Sequence, residues 1–206
     1  MHVVTLNSWI DEVGQGNATR SLIDENNADV IAYTSDFPIT LRIAEEYQTQ
    51  RNKRVWSFSH YSDMRQFGPT AHLTGQVVEW GPIYLDLITQ ALNGTWESRD
   101  IWTRAGDYDP YRWRSSTATP DPSAIGKVEG TVYPAVLNPV IPQEVRVETA
   151  RLWADMKEML FEPFTGPITD RDGKLRLKEG ERIDHDGLWL MNWFVEGVEG
   201  GQIPTT

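Results

Sequence analysis

Short apolar runs separated by polar, helix-patterned stretches make up the first sixty residues. The segment His2–Trp9 mixes β-branched and apolar residues and then turns polar, which predicts a buried strand that ends at a sheet edge. Helical spacing of apolar residues predicts a helix over Asn17–Asn27. Compact apolar runs predict a second strand over Ala28–Thr34 and a third over Val55–Ser59.

A second helix is predicted between the second and third strands. Ser35 and Asp36 stand just before Pro38, so they are a candidate N-cap with the proline in the first helical turn. Apolar positions continue to Tyr47, and a basic turn follows at Arg51–Arg54. Because strands that alternate with such helices form right-handed βαβ units, the sequence predicts an α/β protein with a parallel sheet flanked by helices.

Two further elements follow the third strand. Ala71–Val78 has the composition of an extended segment. Pro82–Leu92 has helical spacing and stops at Asn93-Gly94, a typical helix end. This strand and helix continue the α/β pattern.

Periodicity nearly disappears between residues 96 and 142. There the sequence predicts surface loops around one strand near Lys127–Val136. Gln143–Leu160 is the longest helical pattern and has a broad apolar stripe. Turn signals follow at residues 166–167 and 170–173. The second of these lacks the spaced acidic partners of a calcium loop, so a tight turn is predicted.

Composition and charge exclude several classes of protein. With 206 residues and 39% hydrophobic content, the chain can bury one sizeable core or two small ones. Its net charge of -11 argues against a nucleic-acid partner, because such proteins need a basic face. No apolar run approaches the ~20 residues that cross a bilayer, so no membrane insertion is expected. The absence of cysteine excludes thiolate metal sites and cysteine nucleophiles.

The histidines do not have the spacing of a metal site, so no metal is expected. They are His2, His60, His72 and His185. His60 lies close to Asp63, which leaves an acid–base pair as an alternative, but no Ser or Thr occupies the strand-turn-helix position of a nucleophile. Neither of the two common glycine-rich phosphate loops is present.

Polar residues follow each of the first three predicted strands. Ligands of open parallel sheets bind beyond the carboxyl ends of the strands, so these residues are candidate ligand contacts. They are Asn7, Trp9, Ser35, Asp36 and Asp63. Two carboxylates in one crevice accept hydrogen bonds and repel phosphate, which predicts a neutral or cationic ligand. The structural alternatives are a helix cap for Asp36 and a turn for Asp63.

Several stretches together resemble the basic membrane protein family, the purine-nucleoside-receptor-like substrate-binding proteins of ABC transporters. They occur in the family's order and spacing along nearly the whole chain. They are LNSWID (6–11), ADVIAYTSDFP (28–38), HYSDM (60–64), AHLTGQVVEWGPIY (71–84), LNGTW (92–96), FEPFTGPITDRDGKLRL (161–177) and MNWFVEGV (191–198).

The resemblance implies two lobes of the periplasmic-binding-protein type I class, with the N-terminal lobe largely missing from this chain. It assigns residues 1–70 to the βαβαβ core of the second lobe and 71–100 to a hinge strand and helix that return to the first lobe. Residues 101–206 become a loop-rich return, a long helix and the C-terminal tail. It also implies permease subunits as partners and a periplasmic or cell-surface location, with a signal peptide in the missing part.

The resemblance also implies roles for particular residues. Asp63 matches the family's ligand-contacting aspartate, Ser35 and Asp36 match a loop facing the cleft, and Asn7 and Trp9 lie at the mouth of the first strand. The stretch Gln76–Trp80 lacks the lysine of the nucleoside-binding branch, which favours a free purine base such as adenine. Trp80 and Trp9 are the candidate stacking residues. Capture for transport needs neither a catalytic residue nor a cofactor, so none is expected.

Three other interpretations stay open. The same fold could be the ligand-sensing module of a regulator or receptor. A nucleoside-processing enzyme is the second, and base release from nucleosides would identify it. In the third, the chain binds no ligand.

Overall fold

The computed structural model describes residues 1–98 and 132–203. Within these ranges the chain has the predicted α/β fold, with parallel strands flanked by helices. The helices are α1 (Glu12–Asp24), α2 (Ile39–Gln50), α3 (Gly81–Leu92), α4 (Gln143–Lys157) and α5 (His185–Trp189). The strands are β1 (His2–Val3), β2 (Val30–Ile31), β3 (Trp56–Ser59), β4 (His72–Val78), β5 (Val132–Pro134), β6 (Ile168–Thr169), β7 (Leu175–Leu177) and β8 (Glu199–Gly200).

The largest sheet has the strand order β2-β3-β4-β5. The first three strands are parallel, and Val30 pairs with Trp56 in the register of β2 and β3. β5 is antiparallel to β4, so the sheet is mixed at this edge. The parallel part agrees with the predicted βαβ units, and it brings the ends of β2, β3 and β4 to one edge.

One face of α2 forms the core beside this sheet. Leu41, Ala44 and Tyr47 recur at helical spacing and are at most 1% exposed. The helix packs against β3 and β4, and Val55 and Ala71 are fully buried beside them. Burial of each large apolar side chain of this kind contributes roughly 1.5–3 kcal/mol to stability. This packing holds β3 and β4 in place beside α2.

The first and last strands of the chain pair with each other. β1 is parallel to β8, with His2 opposite Glu199. The Met1 amino group also donates a hydrogen bond to the Gly197 carbonyl oxygen at 2.8 Å. The sequence predicts β1 as a member of the main parallel sheet, and this is wrong: it forms a two-stranded sheet with β8.

The acidic turn between β6 and β7 is a tight hairpin, as predicted. The Asp170 carboxylate is 2% exposed and accepts hydrogen bonds from the backbone N–H of Asp172 and of Lys174. It also accepts one from Arg176 Nε at 2.6 Å. Gly173 has a φ of 83°, a left-handed conformation that favours glycine. The buried Asp170 carboxylate therefore stabilises the turn through these hydrogen bonds.

The chain forms two compact units. The smaller unit contains residues 1–28, 35–37 and 162–206, so it joins both ends of the chain. The larger unit contains residues 29–34 and 38–161, including the four-stranded sheet. The division into residues 1–70, 71–100 and 101–206 stays a prediction.

Helix boundaries differ from prediction at two N-termini. α1 begins at Glu12 rather than Asn17, because the Asp11 side chain caps it by accepting from the Gly14 N–H at 2.8 Å. α2 is preceded by Pro38 as N-cap, without a side-chain cap, so the predicted cap by Ser35 and Asp36 is wrong. In both helices, the spacing of apolar residues predicts where the helix lies better than it predicts the residue at which the helix begins.

The later helices and strands match prediction more closely. α3 agrees with the predicted helix to within one residue, and α4 begins where predicted but ends at Lys157. The predicted strand near Lys127–Val136 is represented by β5, while residues 127–131 lie outside the described part of the chain. In the described part, no helix combines the length and the apolar character that crossing a lipid bilayer requires.

Candidate functional site

The carboxyl ends of β3 and β4 lie side by side in the larger unit. The Val78 N–H at the end of β4 donates a hydrogen bond to the Tyr61 carbonyl oxygen, in the loop after β3, at 2.9 Å. Asp63 lies two residues beyond Tyr61, and Trp80 lies two residues beyond Val78. The structure thus places two of the predicted ligand residues after neighbouring parallel strands, where the sheet's crevice is expected.

Arg65 is bound to the Asp63 carboxylate. Arg65 Nε lies 3.2 Å from Oδ1, and Arg65 Nη2 lies 3.0 Å from Oδ2. The Arg65 backbone N–H also donates to Oδ1 at 3.2 Å. A short 3-10 helix, Arg65–Phe67, follows directly. Asp63 therefore has the turn-forming role that its position allows, and its charge is paired within the same turn.

Trp80 begins an exposed aromatic pair. Its ring stacks with that of Tyr84, one turn along α3, with centroids 6.2 Å apart and an interplanar angle of 20°. Trp80 is 44% exposed and Tyr84 is 58% exposed. Glu79 accepts a hydrogen bond from the Gly81 N–H at the start of the helix. This pair offers a flat apolar face beside the strand end, which suits a planar ligand.

Two further tyrosines lie at this edge and were missed as site candidates. Tyr33 follows β2, and its hydroxyl donates to Met64 Sδ at 3.1 Å. Burial raises the pKa of Tyr33 to about 12. Tyr61 is half exposed and has a φ of 69°, with the His60 ring edge-on at 4.6 Å. The sequence signal that could have found both tyrosines is an aromatic residue shortly after each of β2, β3 and β4: Tyr33, Tyr61 and Trp80.

A buried imidazole lies within the strands behind this edge. His72 is 1% exposed, and its Nε2 lies 3.0 Å from Ser59 Oγ. Desolvation by burial lowers the pKa of His72. The negative charge of Asp63 acts against this shift, and the positive charge of Arg65 adds to it. This histidine is neutral and enclosed, so it is a core residue and not an acid–base group open to a ligand.

The other four predicted site residues lie in the smaller unit. The Asp36 N–H donates to the Trp9 carbonyl oxygen at 3.1 Å, so these two residues are brought together. Gln15 of α1 donates to the Phe37 carbonyl oxygen at 3.0 Å, which holds the same segment. Trp9 is 66% exposed, and Asp36 is exposed.

Asn7 and Ser35 complete this group. Asn7 has a φ of 51° and is exposed. Ser35 Oγ is buried, and within the part of the chain that the structure describes no hydrogen-bond partner approaches it. A ligand role for all six residues, Asn7, Trp9, Ser35, Asp36, Asp63 and Trp80, stays a prediction.

The larger unit therefore combines parallel strands with an aromatic residue after each of three strands and the Asp63 carboxylate after one of them. Over 197 residues the chain is 32% identical to a purine-binding protein of Brucella abortus (strain 2308). The similar region covers 96% of this chain and 48% of that protein. The chain thus spans about half the length of the curated relative that it matches. No family model matches the chain.

Proposed function

We propose that the chain is part of a solute-binding protein that captures a purine base or nucleoside, adenine-like in its chemistry. The observation that supports this most is the similarity, along 96% of the chain, to a protein named for purine binding. Membership of the basic membrane protein family, delivery to ABC permease subunits and a periplasmic or cell-surface location are parts of the same proposal. The role is capture without catalysis.

The edge of the larger unit has the chemistry that a purine requires. A planar heterocycle stacks on exposed aromatic faces, and Trp80 with Tyr84 provides one. An exocyclic amine or ring N–H needs an acceptor, and Asp63 is a carboxylate at this edge. In the smaller unit, a backbone hydrogen bond joins Trp9 to Asp36, a second exposed aromatic residue and a second exposed acidic residue. The absence of lysine over Gln76–Trp80 favours the free base over the nucleoside.

Saturation-transfer NMR and calorimetry on the 206-residue chain test this proposal. Adenine and adenosine are titrated to millimolar concentration beside uracil, a smaller heterocycle with similar polar groups. We expect saturable binding of adenine and no binding of uracil. Asp63→Ala should weaken adenine binding by roughly 1.5–3 kcal/mol through loss of a charge-assisted hydrogen bond. Asp172→Ala, in the exposed hairpin turn, is the matched control.

Two results would contradict the proposal. One is the absence of any purine binding at millimolar concentration by a folded chain. The other is the release of free base from adenosine during the titration, followed by chromatography, because it would make the protein a nucleoside-processing enzyme. Equal adenine affinity in wild type and Asp63→Ala would remove Asp63 from the site.

A further inference from the structure

The Arg65–Asp63 pair differs in its setting from other exposed ion pairs in the described part of the chain. Arg51 pairs with Glu46 at the end of α2, and Arg151 pairs with Glu148 and Asp155 within α4. These pairs lie along helix surfaces, where exposed ion pairs contribute little to stability. Arg65 instead binds a carboxylate that follows a parallel strand, where ligands of such sheets bind.

The contacts of Arg65 occupy Oδ1 of Asp63 more than Oδ2. A carboxylate offers about four lone-pair directions. The backbone N–H and Nε of Arg65 both donate to Oδ1, while Nη2 lies 3.0 Å from Oδ2 as an ion-pair contact. Oδ2 therefore keeps acceptor capacity for a ligand. The carboxylate is held by its own backbone turn and by the guanidinium, so the position of that acceptor is set before a ligand arrives.

The pairing also changes the charge of this edge. Asp63 alone would attract a cation, but the adjacent guanidinium cancels its charge. The nearby Glu79 carboxylate accepts the Gly81 N–H at the start of α3, where the helix dipole offsets negative charge. The Trp80 and Tyr84 rings add no charge. Paired with Arg65, the Asp63 carboxylate therefore presents an acceptor oxygen to a ligand without an unbalanced charge of its own.

We propose that Arg65 is a positioning and specificity residue, which directs the Asp63 acceptor toward neutral purines and disfavours cationic ones. This inference rests on the proposed function and narrows the ligand class, because the sequence allows a neutral or a cationic ligand. Removing the guanidinium should restore the attraction of Asp63 for a positive ring.

Calorimetry at pH 6 with adenine and 1-methyladenine measures this selectivity, because the ring of 1-methyladenine is largely protonated at that pH while adenine is neutral. The quantity of interest is the ratio of the two affinities, since the steric effect of the methyl group is common to all variants. Arg65→Gln and Arg65→Met should shift this ratio toward the cation by about tenfold, from the loss of one nearby positive charge. Arg65→Lys, which keeps the charge, should stay within about threefold of wild type.

Arg51→Gln is the matched control, because Arg51 and Arg65 are similarly exposed, at 48% and 51%, and each pairs with a carboxylate. It should leave the ratio unchanged. Circular dichroism checks that each variant is folded. If Arg65→Gln does not fold, Arg65→Met is used in its place. A ratio that moves less than twofold in a folded Gln or Met variant overturns the inference while purine binding stands. If the folded wild type does not bind adenine, the proposed function fails and this inference fails with it.

Discussion

The imidazole of His72 is enclosed in the main sheet, with its Nε2 3.0 Å from the hydroxyl oxygen of Ser59 on the neighbouring strand. His72 Nδ1 is also buried, and among the described residues it has no hydrogen-bond partner. A charged imidazole would be poorly solvated there, which explains the lowered pKa. The pair therefore links the sheet's stability to pH.

Stability should fall as the pH drops below the ordinary histidine pKa of about 6.5. As the pH falls, His72 binds a proton in the unfolded chain first, because the folded protein keeps the imidazole neutral to a lower pH. The free energy of unfolding therefore falls by at most about 1.4 kcal/mol per pH unit. Urea midpoints between pH 8 and pH 5 measure this. His72→Gln should flatten the dependence, and an equal slope in both proteins would contradict the assignment to His72.

Gly75→Ala should destabilise the larger unit by roughly 1–3 kcal/mol through overpacking. A Cβ at Gly75 would clash with Ser59 Oγ and would lie 2.6 Å from the Ser59 carbonyl oxygen. Ser59→Gly alone removes the partner of His72 Nε2 and should itself destabilise the protein. In that background Gly75→Ala should cost less than in wild type, because only the clash with the carbonyl oxygen remains. Thermal unfolding of the single and double variants checks this, and a stable Gly75→Ala chain would mean that the two strands are further apart.

Asp170→Asn should lower the melting temperature by about 5 °C, because a neutral amide replaces an acceptor of three hydrogen bonds. The backbone N–H of Lys174 is the largest cause of the lowered pKa of Asp170, and Arg176 also lowers it against opposing desolvation. The stabilisation is present above the unfolded carboxyl pKa and is lost as pH falls through the folded value. Acid unfolding should be less steep in the variant, whereas Asp172→Asn should behave as wild type.

Trp80→Leu should remove a large part of the fluorescence change on adenine binding and should weaken binding by about 1–3 kcal/mol, as expected for one base–aromatic stack. Trp189→Leu is the control, since Trp189 lies in α5 and is 77% exposed. Titrations followed by tryptophan emission compare the two. Equal quenching in wild type and Trp80→Leu would place the purine away from Trp80.

Local patterns were enough to predict most helices and strands of the larger unit. β3, β4, α3 and the start of α4 lie at or within about one residue of their predicted bounds. Their signals are period-two or helical spacing together with neighbouring proline or glycine, and all of these act within a few residues. The candidates Asp63 and Trp80 follow from the same patterns, because each comes directly after a recognisable strand.

Contacts between distant residues were decided by the tertiary structure. β1 pairs with β8 and Met1 bonds to Gly197, across 196 positions, for which no local pattern is informative. The partner of Asp63 is near in sequence, but only the backbone of the 3-10 turn brings the Arg65 guanidinium onto its carboxylate. The sequence alone determined which residues can form strands, helices and a polar edge, since those choices depend on side chains a few positions apart. Which strand ends meet, and which charges cancel, depends on the path of the folded backbone.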